Sequence, residues 1–171
     1  MTYIKGYDPA TLREIVDARE CAERLEEIGG QRSLPALLER VWLLKVLGEL
    51  DEAGDVAAHT VRTARMAGTR KDLLRARILH ATVLQFRGAY AAAEQELTAC
   101  AEEAEGHGWA PIGAFAYQHR GKTRFDAGDY DGARADFKRA LFLRKDSAEL
   151  ETMLLAIDAA DRRLAQSAIA I

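Results

Sequence analysis

The side chains best suited to a zinc site or to a thiolate nucleophile are few in this chain of 171 residues. They are four histidines and two cysteines: His59, His80, His107, His119, Cys21 and Cys100. A helical zinc site needs two histidines four positions apart around a glutamate, and a zinc ribbon needs paired CxxC motifs. Neither spacing occurs in the sequence, so we expect no metal site and no cofactor.

Nucleophilic and acid–base catalysis are also not indicated. A reactive thiolate needs positive neighbours that lower its pKa, but Cys21 has Glu20 and Glu23 beside it. The carboxylates lie among other charged residues, where raised pKa values are not expected. The sequence contains no phosphate-binding loop and no nucleophile elbow. We therefore expect a protein that is not an enzyme.

Composition excludes further classes of function. The formal net charge is −3, which lacks the strong basic excess of nucleic-acid-binding proteins, so we expect no nucleic-acid partner. No run of about 18 apolar residues occurs, so we expect no membrane span. Residues 1–8 lack the apolar core of a signal peptide, and with only two distant cysteines we expect a cytoplasmic protein. The abundant Ala, Leu, Glu and Arg are strong helix formers.

The elements that would position any site recur with a period of 40 residues. Gly48, Gly88 and Gly128 are spaced at this interval. Four more columns share the period: Leu50 with Tyr90 and Tyr130, Ala53 with Ala93 and Ala133, Ala57 with Leu97 and Phe137, and Thr60 with Cys100 and Ala140. Each glycine stands where a helical pattern ends, as a left-handed cap residue does. The small residues that follow would let two antiparallel helices approach closely, so each unit is predicted to be a helix, a turn and a second helix.

The third unit resembles a tetratricopeptide repeat. The matching residues are the bulky Tyr117, the small Gly121, the turn Gly128-Asp129-Tyr130, and the second-helix positions Ala133, Phe137 and Ala140. The second unit matches at Ala81, Gly88, Tyr90, Ala93, Leu97 and Cys100, and the first unit is degenerate. The period of 40 exceeds the usual length of about 34, so the chain resembles a long-repeat bacterial type of this family.

This resemblance implies an all-α fold, a right-handed α-solenoid of three helix pairs within a single domain spanning residues 1–171. The repeats are expected at about residues 34–68, 74–108 and 114–145. A flanking N-terminal helix is expected at about 10–28, where Asp8-Pro9 is a typical start signal. A C-terminal capping helix is expected at about 147–165.

In tetratricopeptide proteins the first helix of each pair lines a concave groove that binds a partner. Carried over to this chain, the groove residues are Leu38, Trp42, Lys45, Arg75, Ile78, Thr82, Gln85, Phe86, Phe115, Gln118, Lys122, Phe125 and Asp126. We expect Leu38, Trp42, Arg75, Ile78, Gln85, Phe86, Phe115, Gln118, Lys122 and Phe125 to form the partner-binding site. Large aromatic residues at helical spacing also pack in cores, so both interpretations stay open for the four aromatic positions.

The resemblance favours a scaffold or adaptor whose groove binds a peptide or helical segment of another protein. The alternative is a peptide-sensing regulator or a secretion-type chaperone that acts through oligomerisation. Leu150, Met153, Leu154 and Ile157 give the last helix an apolar stripe. That stripe could cap the third unit or meet a second copy of the chain, so a homo-oligomer formed through the terminal helices stays open.

Overall fold

The computed structural model describes residues 3–144 and 147–170, and 78% of the chain is helical. Eight helices are described: α1 (Ala18–Ile28), α2 (Leu34–Val46), α3 (Leu50–Ala67), α4 (Arg70–Phe86), α5 (Tyr90–Gly106), α6 (Ala110–Asp126), α7 (Tyr130–Leu143) and α8 (Ser147–Ile169). The all-helical prediction is therefore confirmed, apart from one short β-hairpin. Residue 145, the expected end of the third repeat, lies outside the described residues.

The hairpin corrects the start of the N-terminal helix that was predicted over residues 10–28: the helix is present, but its first eight residues are wrong. Strands β1 (Ile4–Tyr7) and β2 (Glu14–Val16) pair in antiparallel register, and α1 begins only at Ala18. Asp8 is a turn residue, not a helix start: its carboxylate accepts the backbone N–H of Ala10 over 2.8 Å. A side chain that bonds its own backbone two residues on favours a turn over a helix.

The helices pack in succession, each against the next one along the chain. In addition, α2 packs beside α4 and α4 packs beside α6, so the first helices of the three pairs are neighbours. Gly48, Gly88 and Gly128 connect the members of each pair with φ angles of 84°, 78° and 86°. Only glycine adopts this left-handed conformation at little cost, which confirms the predicted role of the three glycines.

The small-residue columns lie at the contacts between helices. Ala53, Ala93 and Ala133 are each fully buried. Gly121 of α6 faces the Phe137 ring of α7, and a Cβ at Gly121 would stand 2.5 Å from that ring. The absence of a side chain at Gly121 therefore allows α6 and α7 to approach each other closely.

The apolar stripe of α8 is divided between two environments. Met153 is fully buried and packs in a cluster with Phe137 and Ala140 of α7, whereas Leu154 is 56% exposed. One edge of the stripe thus covers the last helix pair, and the other edge faces away from it. None of the described helices is long and apolar enough to cross a membrane.

Candidate functional site between the hairpin and helices α2, α4 and α6

The N-terminal hairpin lies on the face formed by the three first helices, which we call the α2–α4–α6 surface. Arg13 Nη2 donates to Asp126 Oδ2 at the end of α6 over 2.7 Å, and the Arg13 guanidinium lies 3.8 Å from the centre of the Phe86 ring on α4. Gln85 donates to the same Asp126 oxygen over 2.8 Å. A charged hydrogen bond and a cation–π contact therefore fix the hairpin to two helices.

Apolar contacts and a bond from α8 complete the docking of the hairpin. Leu12 is 3% exposed and packs in a cluster with Phe125. Arg163 of α8 donates to the backbone carbonyl of Ala10 over 3.2 Å. Ile4 packs against a separate cluster that includes Trp42 of α2. Because elements from both ends of the chain meet here, the hairpin is part of the tertiary structure.

A buried charge cluster lies beneath the hairpin. Glu14 Oε1 of β2 lies 3.6 Å from Lys45 Nζ of α2, and both side chains are almost wholly buried. Burial by itself would raise the pKa of Glu14, yet the attraction of Lys45 and Lys122 holds this pKa at about 2. Burial lowers the pKa of Lys45 in spite of Glu14. Burying either charge by itself would cost free energy of desolvation. The attraction between Glu14 and Lys45 offsets part of this cost.

Lys122 of α6 is the second cation of this cluster, and it has no carboxylate of its own. It is 6% exposed, and in the part of the chain that the structure describes it makes no hydrogen bond or ion pair. Its Nζ lies 4.8 Å from the centre of the Tyr7 ring. Burial lowers the pKa of Lys122 to about 8, although Glu14 opposes this shift. Lys122 is therefore a buried cation that is only partly compensated.

Buried His119 stands beside these lysines. Burial, followed by the charges of Lys122 and Lys45, lowers the pKa of His119 well below its ordinary value. The imidazole is therefore neutral at neutral pH.

A cavity of about 860 Å³ opens beside the charge cluster. Its apolar wall comes from the helices and from the hairpin: Leu38, Trp42, Leu79, Ile112, Phe115, Tyr3, Ile4 and Tyr7. Lys45, Gln118, His119 and Lys122 contribute polar groups, and Glu14, Glu39, Arg75, Arg144 and Glu149 also line it. A cavity of this volume, mostly apolar with a few convergent polar groups, has the features of a ligand-binding pocket.

The predicted groove residues separate into three groups. Six line the cavity: Leu38, Trp42, Arg75, Phe115, Gln118 and Lys122. Three lie where the hairpin docks: Gln85 bonds Asp126, Phe86 stacks with Arg13, and Phe125 packs with Leu12. Ile78 is fully buried in a core cluster with Ala93 and Leu97, so its predicted place on a partner-facing surface is wrong. Helical spacing alone did not show which edge of each first helix packs against the second helices.

The hairpin residues of the site were missed by the sequence analysis. Tyr7, Arg13 and Glu14 all fall near or inside the segment that was expected to be helical. Two signals pointed to strands: the β-branched pair Ile15-Val16, and the turn-forming Asp8-Pro9 between two apolar segments. These signals are short, so the strong helical periodicity of the remaining chain outweighed them.

The other candidate chemical groups do not form a site in the structure. The described residues contain no cluster of three or more potential metal ligands. Cys21 and Cys100 are buried, and burial raises the pKa of Cys100 to about 12, which is unsuited to a nucleophile. Two arginines of α4 also have intramolecular partners that compensate their charges: Arg70 pairs with Glu103, and Arg77 pairs with Glu96.

Comparisons of the chain with protein-family models, with curated proteins and with solved structures found no match. The function is therefore argued from the geometry of the cavity and of the hairpin.

Proposed function

We propose that this chain is a tetratricopeptide-like module, a right-handed solenoid of three helix pairs, that binds a segment of another protein in the cavity beside its hairpin. Two features support the repeat assignment. The glycine turns recur at the same spacing with the same left-handed geometry, and the first helices of successive pairs lie side by side. Stacked helix pairs of this kind form an extended inner surface, which is the usual binding surface of such proteins.

The observation that carries the proposal is the hairpin itself. An extended segment already lies on the α2–α4–α6 surface, held by the Arg13–Asp126 ion pair and by the Arg13–Phe86 stack. The surface thus has the chemistry to bind extended chain: aromatic faces, paired charges and apolar contacts. The cavity is the open continuation of this surface, with Trp42 and Phe115 in its wall. A partner side chain inserted there would be desolvated, as binding hot spots are.

The experiment that tests the proposal replaces two half-buried cavity residues, Leu38 and Phe115, by glutamate and measures capture of partner proteins from the native lysate. The matched control is Met66→Glu, because Met66 is 88% exposed on α3 and does not line the cavity. We expect Leu38→Glu/Phe115→Glu to lose a partner that the native chain and Met66→Glu both retain, at unchanged helicity. Equal capture by all three proteins would contradict the proposal.

The choice of positions follows from the hairpin. Phe86 and Phe125 belonged to the predicted groove, but they contact Arg13 and Leu12 of the same chain. Glutamate at either position would perturb the hairpin, so a loss of capture would not locate the partner. Leu38 and Phe115 line the cavity, and the ring contact of Phe115 is with His119 of α6 and not with the hairpin.

A regulator or secretion-type chaperone that acts through oligomerisation is the second candidate. The observation that favours it is the exposure of Phe142 and Leu154, which are 76% and 56% exposed on the last two helices. Exposed large apolar side chains can mark an interface between proteins. Sedimentation of the native chain and of Leu154→Glu separates the candidates: a native oligomer that dissociates in the variant favours this second function, and a native monomer contradicts it.

A further inference from the structure

Two buried lysines share one carboxylate on the α2–α4–α6 surface. Lys45 lies at ion-pair distance from Glu14, whereas Lys122 has no acidic group at that distance among the described residues. The charged groups that face Lys122 are Glu14, Asp126, Lys45 and Arg13, and the uncharged ring groups are Tyr7 and the neutral His119. With Lys122 included, three cations stand against two carboxylates. One positive charge in this cluster is therefore not balanced. Two further carboxylates line the cavity, but Glu39 pairs with Arg24 and Glu149 pairs with Arg144.

The residue that carries the uncompensated charge borders the cavity. Lys122 is among the residues that line the cavity, next to Gln118 one turn earlier on α6. Gln118 Oε1 accepts a hydrogen bond from Arg144, which leaves the Gln118 amide N–H groups as donors. An ammonium and an amide on the same helix face can together bind one carboxylate.

The apolar residues around Lys122 define the rest of the ligand. The same cavity is lined by three apolar residues, Trp42, Phe115 and Ile112. Their apolar surface is removed from water only if the ligand has an apolar residue next to its acidic one. The hairpin offers a partial parallel: Glu14 lies at ion-pair distance from Lys45, and Val16 of the same strand packs on the cluster that includes Trp42.

We propose that the bound partner segment carries an aspartate or glutamate next to an apolar residue, and that this side-chain carboxylate forms an ion pair with Lys122. The inference rests on the proposed function, because it names the chemistry of the segment that the same cavity binds. It adds a selection rule: acidic–apolar segments bind, and neutral segments of the same shape bind less well.

The test is selection from a random dodecapeptide library displayed on phage, in which every peptide is joined to the coat protein at its C-terminus. A free C-terminal carboxylate is thereby absent, so an acid requirement reports on side chains. The full-length chain, Lys122→Met and Lys138→Met are each used as bait. Lys138 is an exposed lysine of α7 and does not line the cavity, so it serves as the matched control.

The native chain and Lys138→Met are expected to select peptides in which Asp or Glu next to an apolar residue is enriched at least fivefold over the unselected library. Lys122→Met is expected to keep the apolar preference and to lose the acidic one. Peptides selected without acidic enrichment, or the same enrichment with Lys122→Met, would overturn this inference and leave the proposed function standing. Failure of the native chain to select any peptide would overturn both.

A second readout uses the native chain alone and does not depend on how the variant folds. Because Lys122 has a pKa of about 8, its ammonium is lost as the pH rises from 7.5 to 9. Affinity for a selected acidic peptide is expected to fall about eightfold over this interval, and affinity for its Glu→Gln analogue is expected to change little. Parallel pH profiles for the two peptides would contradict the assignment of Lys122.

Discussion

Arg13 and Asp126 lie 113 residues apart in the sequence, yet Arg13 Nη2 donates to Asp126 Oδ2 over 2.7 Å. Both side chains are largely buried, with 32% and 13% of their surfaces exposed. The same guanidinium covers the Phe86 ring. Arg13 thus connects the N-terminal hairpin to the ends of two helices, α4 and α6.

Replacement of Arg13 by alanine should release the hairpin while the helices stay folded. The change removes a partly buried charged hydrogen bond and a cation–π contact, and we expect it to cost about 2–3 kcal/mol of hairpin docking. Hydrogen exchange of the β1 and β2 amides measures this loss. The control is Arg19→Ala, which removes only an ion pair between exposed side chains on α1. Equal protection of the hairpin amides in the two variants would refute the role of Arg13.

Replacement of Lys122 by methionine should stabilise the chain at neutral pH by about 1–3 kcal/mol, because it removes a buried, poorly compensated charge. The gain depends on pH. The pKa of Lys122 is about 8 in the folded chain, against an ordinary value of 10.5. The destabilisation by the buried charge is therefore at its largest below pH 8. This cost falls as the pH rises from 8 towards 10.5, because the folded state loses the proton first. Urea unfolding of both proteins at pH 7 and pH 10 should show the difference shrinking, and a constant or growing difference would contradict the prediction.

Acid should lower the free energy of unfolding of the native chain, because it protonates Glu14. Its pKa of about 2 lies below the ordinary 4.5, so its contribution to stability is complete above about pH 4.5 and is lost as the pH falls from 4.5 towards 2. We expect this contribution to be about 3 kcal/mol. In Glu14→Gln the cluster keeps its lysines without the carboxylate, so the variant should be less stable at pH 7 and less sensitive to acid. Unfolding free energies of the two proteins that run parallel between pH 6 and pH 3 would disprove the assignment.

Replacement of Gly121 by alanine should separate α6 from α7. The added Cβ would stand 2.5 Å from Cε1 of Phe137, which is fully buried and has little room to move. We expect a loss of about 1–3 kcal/mol of stability, as in other overpacked cores. Gly106→Ala is the control, because a Cβ there meets nothing within 4 Å. Thermal unfolding should show a large fall in melting temperature for Gly121→Ala alone, and similar values for both variants would exclude a tight contact at Gly121.

Local sequence patterns predicted the helices and the turns well. The glycines at 48, 88 and 128 adopt the left-handed geometry that their spacing indicated, because a glycine at a helix end acts within a few residues of chain. The hairpin could not be found in the same way. Strands of four and three residues are marginal by themselves, and these two are held by Arg13, Leu12 and Ile4 through contacts with distant helices.

Six of the ten predicted site residues line the cavity, because the helical spacing placed them on one side of each first helix. The sequence by itself determined the succession of helices and the small residues between them, because both follow from the period of the apolar residues. Only the tertiary structure decided which charges are buried together. Glu14, Lys45 and Lys122 come from a strand and two helices that lie far apart in the chain, and their pKa values depend on a shared desolvated environment that no local pattern encodes.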